Sequence, residues 1–197
     1  MRYAKIRFSD IERRDLLKAW LATSVTFALF FVAGKIAQTS FSEFLMLVLI
    51  AAITAGLGFV GHELAHKFTA NHFGVQAEFR SHDSMLVLSM VIAIFGLIIA
   101  APGAVHILGQ ITRRENGIIS AAGPAANLVL CGVFAPLMLV PSLSAIGQYG
   151  FVINALLGAF NMIPILDFDG VKILAWNKAV YFVMLAIAGI LVVAAFI

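Results

Sequence analysis

The segment Gly61-His62-Glu63-Leu64-Ala65-His66 sets two imidazoles four positions apart with a carboxylate beside the first. On a helix, positions i and i+4 lie on one face about a turn apart, so His62 and His66 can present their rings to a single ion. Zn²⁺ suits imidazole ligands, and a catalytic zinc keeps three protein ligands and one open position. Glu63 is placed to act on water at that position as general base, and HExxH on a helix is the pattern of zinc hydrolases. A third ligand has to come from elsewhere. The stretch Asn161-Met162-Ile163-Pro164-Ile165-Leu166-Asp167-Phe168-Asp169-Gly170 can supply it. Pro164 ends or kinks a helix and Gly170 permits a tight turn, which can fold an acid back toward the membrane interior. Asp167 and Asp169 are both candidates on chemistry alone. His72 and His82 sit in a polar stretch with Arg80 and Asp83 and read as solvated. His106, after Pro102-Gly103, reads as a non-ligand near the site.

The elements that must hold these groups are apolar. Of 197 residues, 62% are hydrophobic and 12% charged, against about 45–50% and about 25% in a soluble domain. So little charge cannot cover a globular surface, and the chain reads as an all-α polytopic membrane protein in contact with a lipid bilayer. The net charge of +3 belongs to loops between spans and gives no reason to expect a nucleic-acid partner. Cys131 is the single cysteine, so no internal disulfide can form. Crossing the hydrocarbon takes roughly 20 apolar residues, and six runs qualify: Trp20–Ala37, Phe44–Phe68, Ser84–Ala101, Ile118–Val140, Ala145–Ile163 and Ala179–Ile197. All belong to one domain, 1–197. Residues 1–19 form an amphipathic lead-in whose Ser9-Asp10-Ile11-Glu12 reads as a capping box, 44–170 hold the catalytic core, and 179–197 the last span. Gly56, Gly58 and Gly61 admit close neighbouring backbones. Trp20 and Trp176 fit the interfacial aromatic belt. The HExxH residues end the second run, and ionisable groups inside an apolar span are costly and functional by default.

Basic residues collect on the cytoplasmic side of spans. Twelve of the thirteen Lys and Arg share one side if the N-terminus, the inner end of the second run, Arg113–Arg114 and Lys172–Lys178 are all cytoplasmic, leaving only Lys35 opposite. The stretch from Ser84 to Arg113 then begins and ends on that side. It either re-enters or returns in extended form after the third run, which irregular backbone can do only where protein or a wet cavity surrounds it. An ordinary extra helix is the alternative.

Taken together, these residues resemble the site-2 protease family of intramembrane zinc metalloproteases. That family pairs HExxH with a later N-x-x-P-x-x-x-x-D-G pattern. Here it starts at Asn161, places Pro164, and selects Asp169 over Asp167 as the third zinc ligand. A Gly-Pro followed closely by Asn is matched by Gly123-Pro124-Ala125-Ala126-Asn127. The segment after HExxH forms strands near the site in the family, and reads here as helix-like and apolar. The chain looks like a minimal, membrane-core member, built on a three-helix catalytic core.

The resemblance implies one Zn²⁺ held by His62, His66 and Asp169, with Glu63 as the proton carrier. It makes Asn161 the stabiliser of the developing oxyanion, with Asn127 in support, holding Asn161 or a substrate strand. The implied reaction is hydrolysis of a peptide bond within or near the transmembrane segment of a substrate protein. Ala101–Ile111 is the expected edge for an unwound substrate strand. A multi-pass protein of a prokaryotic plasma membrane follows, its N-terminus and active-site end facing the cytoplasm. Two rival readings remain, an inactive membrane scaffold of the same fold and a metal transporter. The complete His-Glu-His-Asp set argues against the first. The apolar outer half of the second run argues against the second.

Overall fold

The structure, a computed structural model, describes residues 4–98 and 102–197. It is mostly helical, with seven α-helices and one two-stranded sheet among those residues. Helix α1 spans Asp10–Phe31, and the Ser9 hydroxyl accepts the Glu12 N–H at its start. The capping box forms only by half, because the Glu12 carboxylate goes to Lys67 and to the Phe79 N–H. Helix α2, Phe41–His72, opens with a complete capping box, in which the Ser40 N–H donates 2.8 Å to Glu43. Helix α4, Arg113–Phe134, opens the same way at Thr112 and Glu115. These boxes satisfy amide groups that a helix start otherwise leaves unpaired.

Between α2 and α4 the chain departs from an all-helical expectation. Strand β1, Gln76–Ser81, follows the HExxH helix directly and pairs antiparallel with β2, Gly103–Leu108. The helix-like reading of this stretch is therefore right only for α3, Asp83–Ile94. Ser81 lies opposite Gly103, and the His82 N–H donates to the Pro102 carbonyl at 3.0 Å. The excursion through α3 thus starts and finishes at one place. Twelve residues of α3 reach about 18 Å, short of the ~30 Å hydrocarbon core. The extended stretch that follows α3 is β2. Residues 99–101, the end of the expected third run, lie outside the described residues.

Helices α5 (Ser144–Asn161), α6 (Asp169–Trp176) and α7 (Lys178–Ala195) complete the chain. Each of the six apolar runs carries a helix. Three segments are long and apolar enough to cross a membrane: α2, α4 with the 3-10 turn that continues it to Leu139, and α7. Helix α2 is the hub and packs against α1, α4 and α5. One core cluster joins Phe27 of α1, Ala51 and Ala55 of α2, and Ile153 and Leu157 of α5. The α2 glycines accommodate side chains more than backbones. At Gly56 a methyl group would strike the Trp20 indole, and at Gly58 the Asn154 amide. Trp20 is accordingly a packing residue that donates its Nε1–H to the Ala52 carbonyl at 2.9 Å. Trp176 likewise packs on α4, where a side chain at Gly117 would meet its ring.

Candidate metal centre

Helix α2 brings His62 and His66 to one face because they are four residues apart, and both are buried. The third group arrives from α6 by a sharp reversal. Helix α5 stops at Asn161, Leu166 adopts a left-handed φ of 52°, and α6 begins at Asp169. Gly170 is not the turn residue expected. It lies in the first turn of α6, where any side chain would collide with the Met162 carbonyl at the end of α5. That close approach sets Asp169 against the imidazoles. Its Oδ2 lies 3.2 Å from the Nε2 of both His62 and His66, and the two Nε2 atoms are 2.9 Å apart. Asp167 lines the same cavity without joining this group.

The hydrogen bonds around the rings decide their tautomers. Asn127 donates through Nδ2 to the Gly58 carbonyl (3.1 Å) and to Asn154 Oδ1 (3.0 Å), so its Oδ1 is free to accept. His62 Nδ1–H donates to that oxygen at 2.7 Å, and His66 Nδ1–H donates to the Ile119 carbonyl at 2.7 Å. A proton on Nδ1 leaves a lone pair on Nε2. Two lone pairs and a carboxylate oxygen therefore face one another within 3.2 Å, an arrangement that repels itself unless a cation sits among them. Ligands about 2.0–2.1 Å from a tetrahedral zinc stand about 3.3 Å apart, close to the observed triangle. The residues fit the ion, and ligands whose second nitrogen is fixed by an acceptor are typical of such sites.

Helix α4 can come this close because Gly123 faces the rings, and a methyl group there would overlap both Nε2 atoms. Pro124 follows within the helix. The Gly-Pro pair thus marks the place where backbone presses on the centre. Asn127, expected to hold Asn161 or a substrate strand, accepts a hydrogen bond from His62. Asn154, which locks Asn127 and itself donates to the Gly150 carbonyl, escaped the sequence reading. Its signal was available, since a polar residue deep in an apolar run needs a partner.

A cavity of about 120 Å³ opens over the group. It has room for several waters. Glu63, 8% exposed, lines it beside the two histidines, as do Asn161 and Lys172. Asn161 gives one Nδ2–H to its own helix at the Leu157 carbonyl, 3.0 Å, and the second amide hydrogen remains for the cavity. Gly103, Val105 and Ile107 of β2 form part of the wall. His72, His82 and His106 take no part. His106 alternates outward from Val105 and Ile107, with its ring 6.4 Å from that of His82.

A second buried polar cluster lies on the other face of α2. Lys67 is 2% exposed and donates to both carboxylate oxygens of Glu12 (2.9 and 2.8 Å) and to the Ala77 carbonyl (2.7 Å). Phe79 N–H donates to Glu12 at 3.0 Å and Ser81 N–H to Asp15 at 3.3 Å. The α1 acids thereby cover the outer edge of β1. Antiparallel partners alternate between exchanging both hydrogen bonds and exchanging none. Because Phe79 and Ser81 point their N–H groups away from β2, their partners Val105 and Gly103 point theirs away from β1. The uncovered edge of the sheet is the β2 edge beside the cavity.

No family model matches the chain, and no solved structure does. Among curated proteins it is similar to one from Methanocaldococcus jannaschii named "putative zinc metalloprotease", with 40% identity over 182 residues covering 89% of each chain. That likeness runs through nearly the whole sequence, and the donor set described above suits the same metal: the chain belongs to this zinc metalloprotease family.

Proposed function

We propose that the protein is an intramembrane zinc protease of the site-2 type, hydrolysing a peptide bond within or near the transmembrane segment of a substrate protein. The observation that carries this reading is the convergence of His62, His66 and Asp169, with Glu63 in the same cavity, on a helix apolar enough to cross a membrane. When bound there, zinc supplies Lewis acidity that polarises the scissile carbonyl and activates water. Glu63 takes the proton from the attacking water on a carboxylate oxygen and delivers it to the leaving amine. Asn161 offers its free amide hydrogen to the oxygen on which charge develops, and Asn127 holds His62 in the ligating tautomer. The six helical runs each cross or enter the bilayer. The cavity opens toward the cytoplasm of a prokaryotic cell, which the bias of basic residues supports.

A substrate helix has to unwind before its peptide bond can reach the centre, and an extended segment then adds to the β2 edge. Outward backbone groups at Gly103 and Val105, two residues that also wall the cavity, support that role. Replacing Val105 by Pro removes an outward N–H and leaves the ladder to β1 its bonds. Cleavage falls while zinc content stays constant, and undiminished cleavage refutes the strand addition.

The deciding experiment compares purified wild type with Glu63→Gln for bound zinc and for cleavage of a transmembrane substrate. Loss of cleavage by about 100-fold or more, with zinc retained, is the expected result. Equal cleavage by the variant removes Glu63 from the chemistry. Zinc flux without cleavage makes the protein a transporter.

A further inference from the structure

A second cavity, of about 340 Å³, shares no lining residue with the catalytic one. It lies where the lead-in, residues 4–9, crosses the end of α2 and the start of β1. There Ala4 N–H donates to the Asn71 carbonyl at 2.9 Å, and the Ser9 hydroxyl donates to Glu78. Most charges on its wall are already matched. Lys67 is spent on Glu12 and Ala77, and Glu78 is held by Ser9 and by Arg80 at 2.7 Å. Three groups are not. Lys5 and Arg7 are exposed and have no ion-pair partner among the described residues. Asn71 is 4% exposed, and its Nδ2 has no hydrogen-bond partner.

An amide donor shut from water without an acceptor is costly and calls for an explanation. With two unmatched cations on the same wall, the missing partner is an anion carrying several oxygens. In the last α2 turn the Thr69, Ala70 and Asn71 carbonyls accept the N–H groups of Ala4, Phe73, Gly74 and Val75. Apolar surface adjoins the polar cavity: Ile6 between the two cations, Leu108 on the wall, and Phe68 one turn before Asn71, each more than 40% exposed. We propose that this cavity holds the phosphate headgroup of an acidic phospholipid, with Lys5, Arg7 and Asn71 Nδ2 on the phosphate and the acyl chains along Ile6, Phe68 and Leu108. It is separate from the catalytic centre, and its occupant needs no cleavage to be detected.

The test takes the full chain from mixed phosphatidylglycerol and phosphatidylcholine bilayers and measures retained lipid by native mass spectrometry. Wild type retains phosphatidylglycerol in excess. A surface cation near acidic lipid contributes roughly fivefold in affinity, so Lys5→Gln with Arg7→Gln lowers the excess by about 25-fold. Asn71→Leu also lowers it although no charge changes, whereas Lys35→Gln at the other end of α2 leaves it intact. An unchanged excess in the Lys5, Arg7 double variant overturns the site. So does an equal loss in Lys35→Gln, which makes the preference general electrostatics. Inorganic phosphate that binds lipid-free protein and abolishes the lipid preference overturns the lipid as ligand. Should Asn71→Leu fail to keep zinc, the double variant against Lys35→Gln decides alone.

Discussion

His66 and Lys67 are neighbours in sequence, both buried, and they face opposite ways out of α2 into two different polar clusters. Lys67 enters a closed one. Its ammonium makes three hydrogen bonds, and the Glu12 it meets also takes a strand amide. His66 enters an open one, where every second nitrogen is fixed by an acceptor and the first nitrogens are left facing each other and a carboxylate. The closed cluster clamps α1 and β1 to α2, and every polar side-chain atom of Lys67 and Glu12 has a partner in it. In the open cluster the surrounding bonds aim the donors, and an ion has to complete it. Buried polar groups that are fully satisfied specify structure, while those satisfied on all sides but one mark a site.

The largest expected effect tests the closed cluster. Lys67→Met strands the Glu12 carboxylate out of water, and breaking a buried pair this way costs about 3–5 kcal/mol. Thermal unfolding in detergent reads that loss, and Lys67→Met combined with Glu12→Gln recovers most of it. A single variant as stable as wild type would erase the contrast between the clusters. Next comes the aiming of the open cluster. Asn127→Ala frees the His62 ring, and losing such an outer partner lowers metal affinity by about 10–100-fold. Competition with a chelator measures this, and unaltered zinc affinity would reduce Asn127 to a helix-packing residue. The smallest effect lies at the rim, where the Ser9 hydroxyl, and after it Arg80, hold the Glu78 carboxyl below the usual carboxylate range. A depressed folded pKa gives stability that is present above the ordinary value and lost as pH falls through the lowered one. An ion pair at the rim of the protein is worth little, so the acid-side slope in melting temperature is shallow, and Glu78→Gln flattens it further.

Groups fixed by local spacing were legible in the sequence. His62 and His66 follow from helical periodicity, and Pro164 announced the end of α5 within three residues of its last turn. Caps at Ser40 and Thr112 are also local patterns. What could not be read depends on partners far along the chain. Lys67 next to an interfacial loop looks like a solvated cation until Glu12 is brought to it across 55 positions. Glu12 for its part looks like half of a capping box until β1 claims it. Strand β1 was hidden because its neighbours are apolar helices, and its pairing with β2 spans an excursion of more than twenty residues. Three long apolar segments stand out by length and hydropathy. Helix α1 carries charge in its first turns, and α5 places Asn154 and Gln148 among its apolar residues, so composition alone speaks less clearly for them.

Helix α2 has 32 residues and so measures about 48 Å end to end, well beyond the thickness of the oily layer it is long and apolar enough to cross. On the intramembrane reading proposed above it has to lean or protrude, and whichever it does sets how deep the histidines sit below the headgroups. Leaning more steeply would draw that turn toward the surface and thereby change its access to water. On that same reading bilayer thickness becomes a control on the rate, acting through one rod too long for its host.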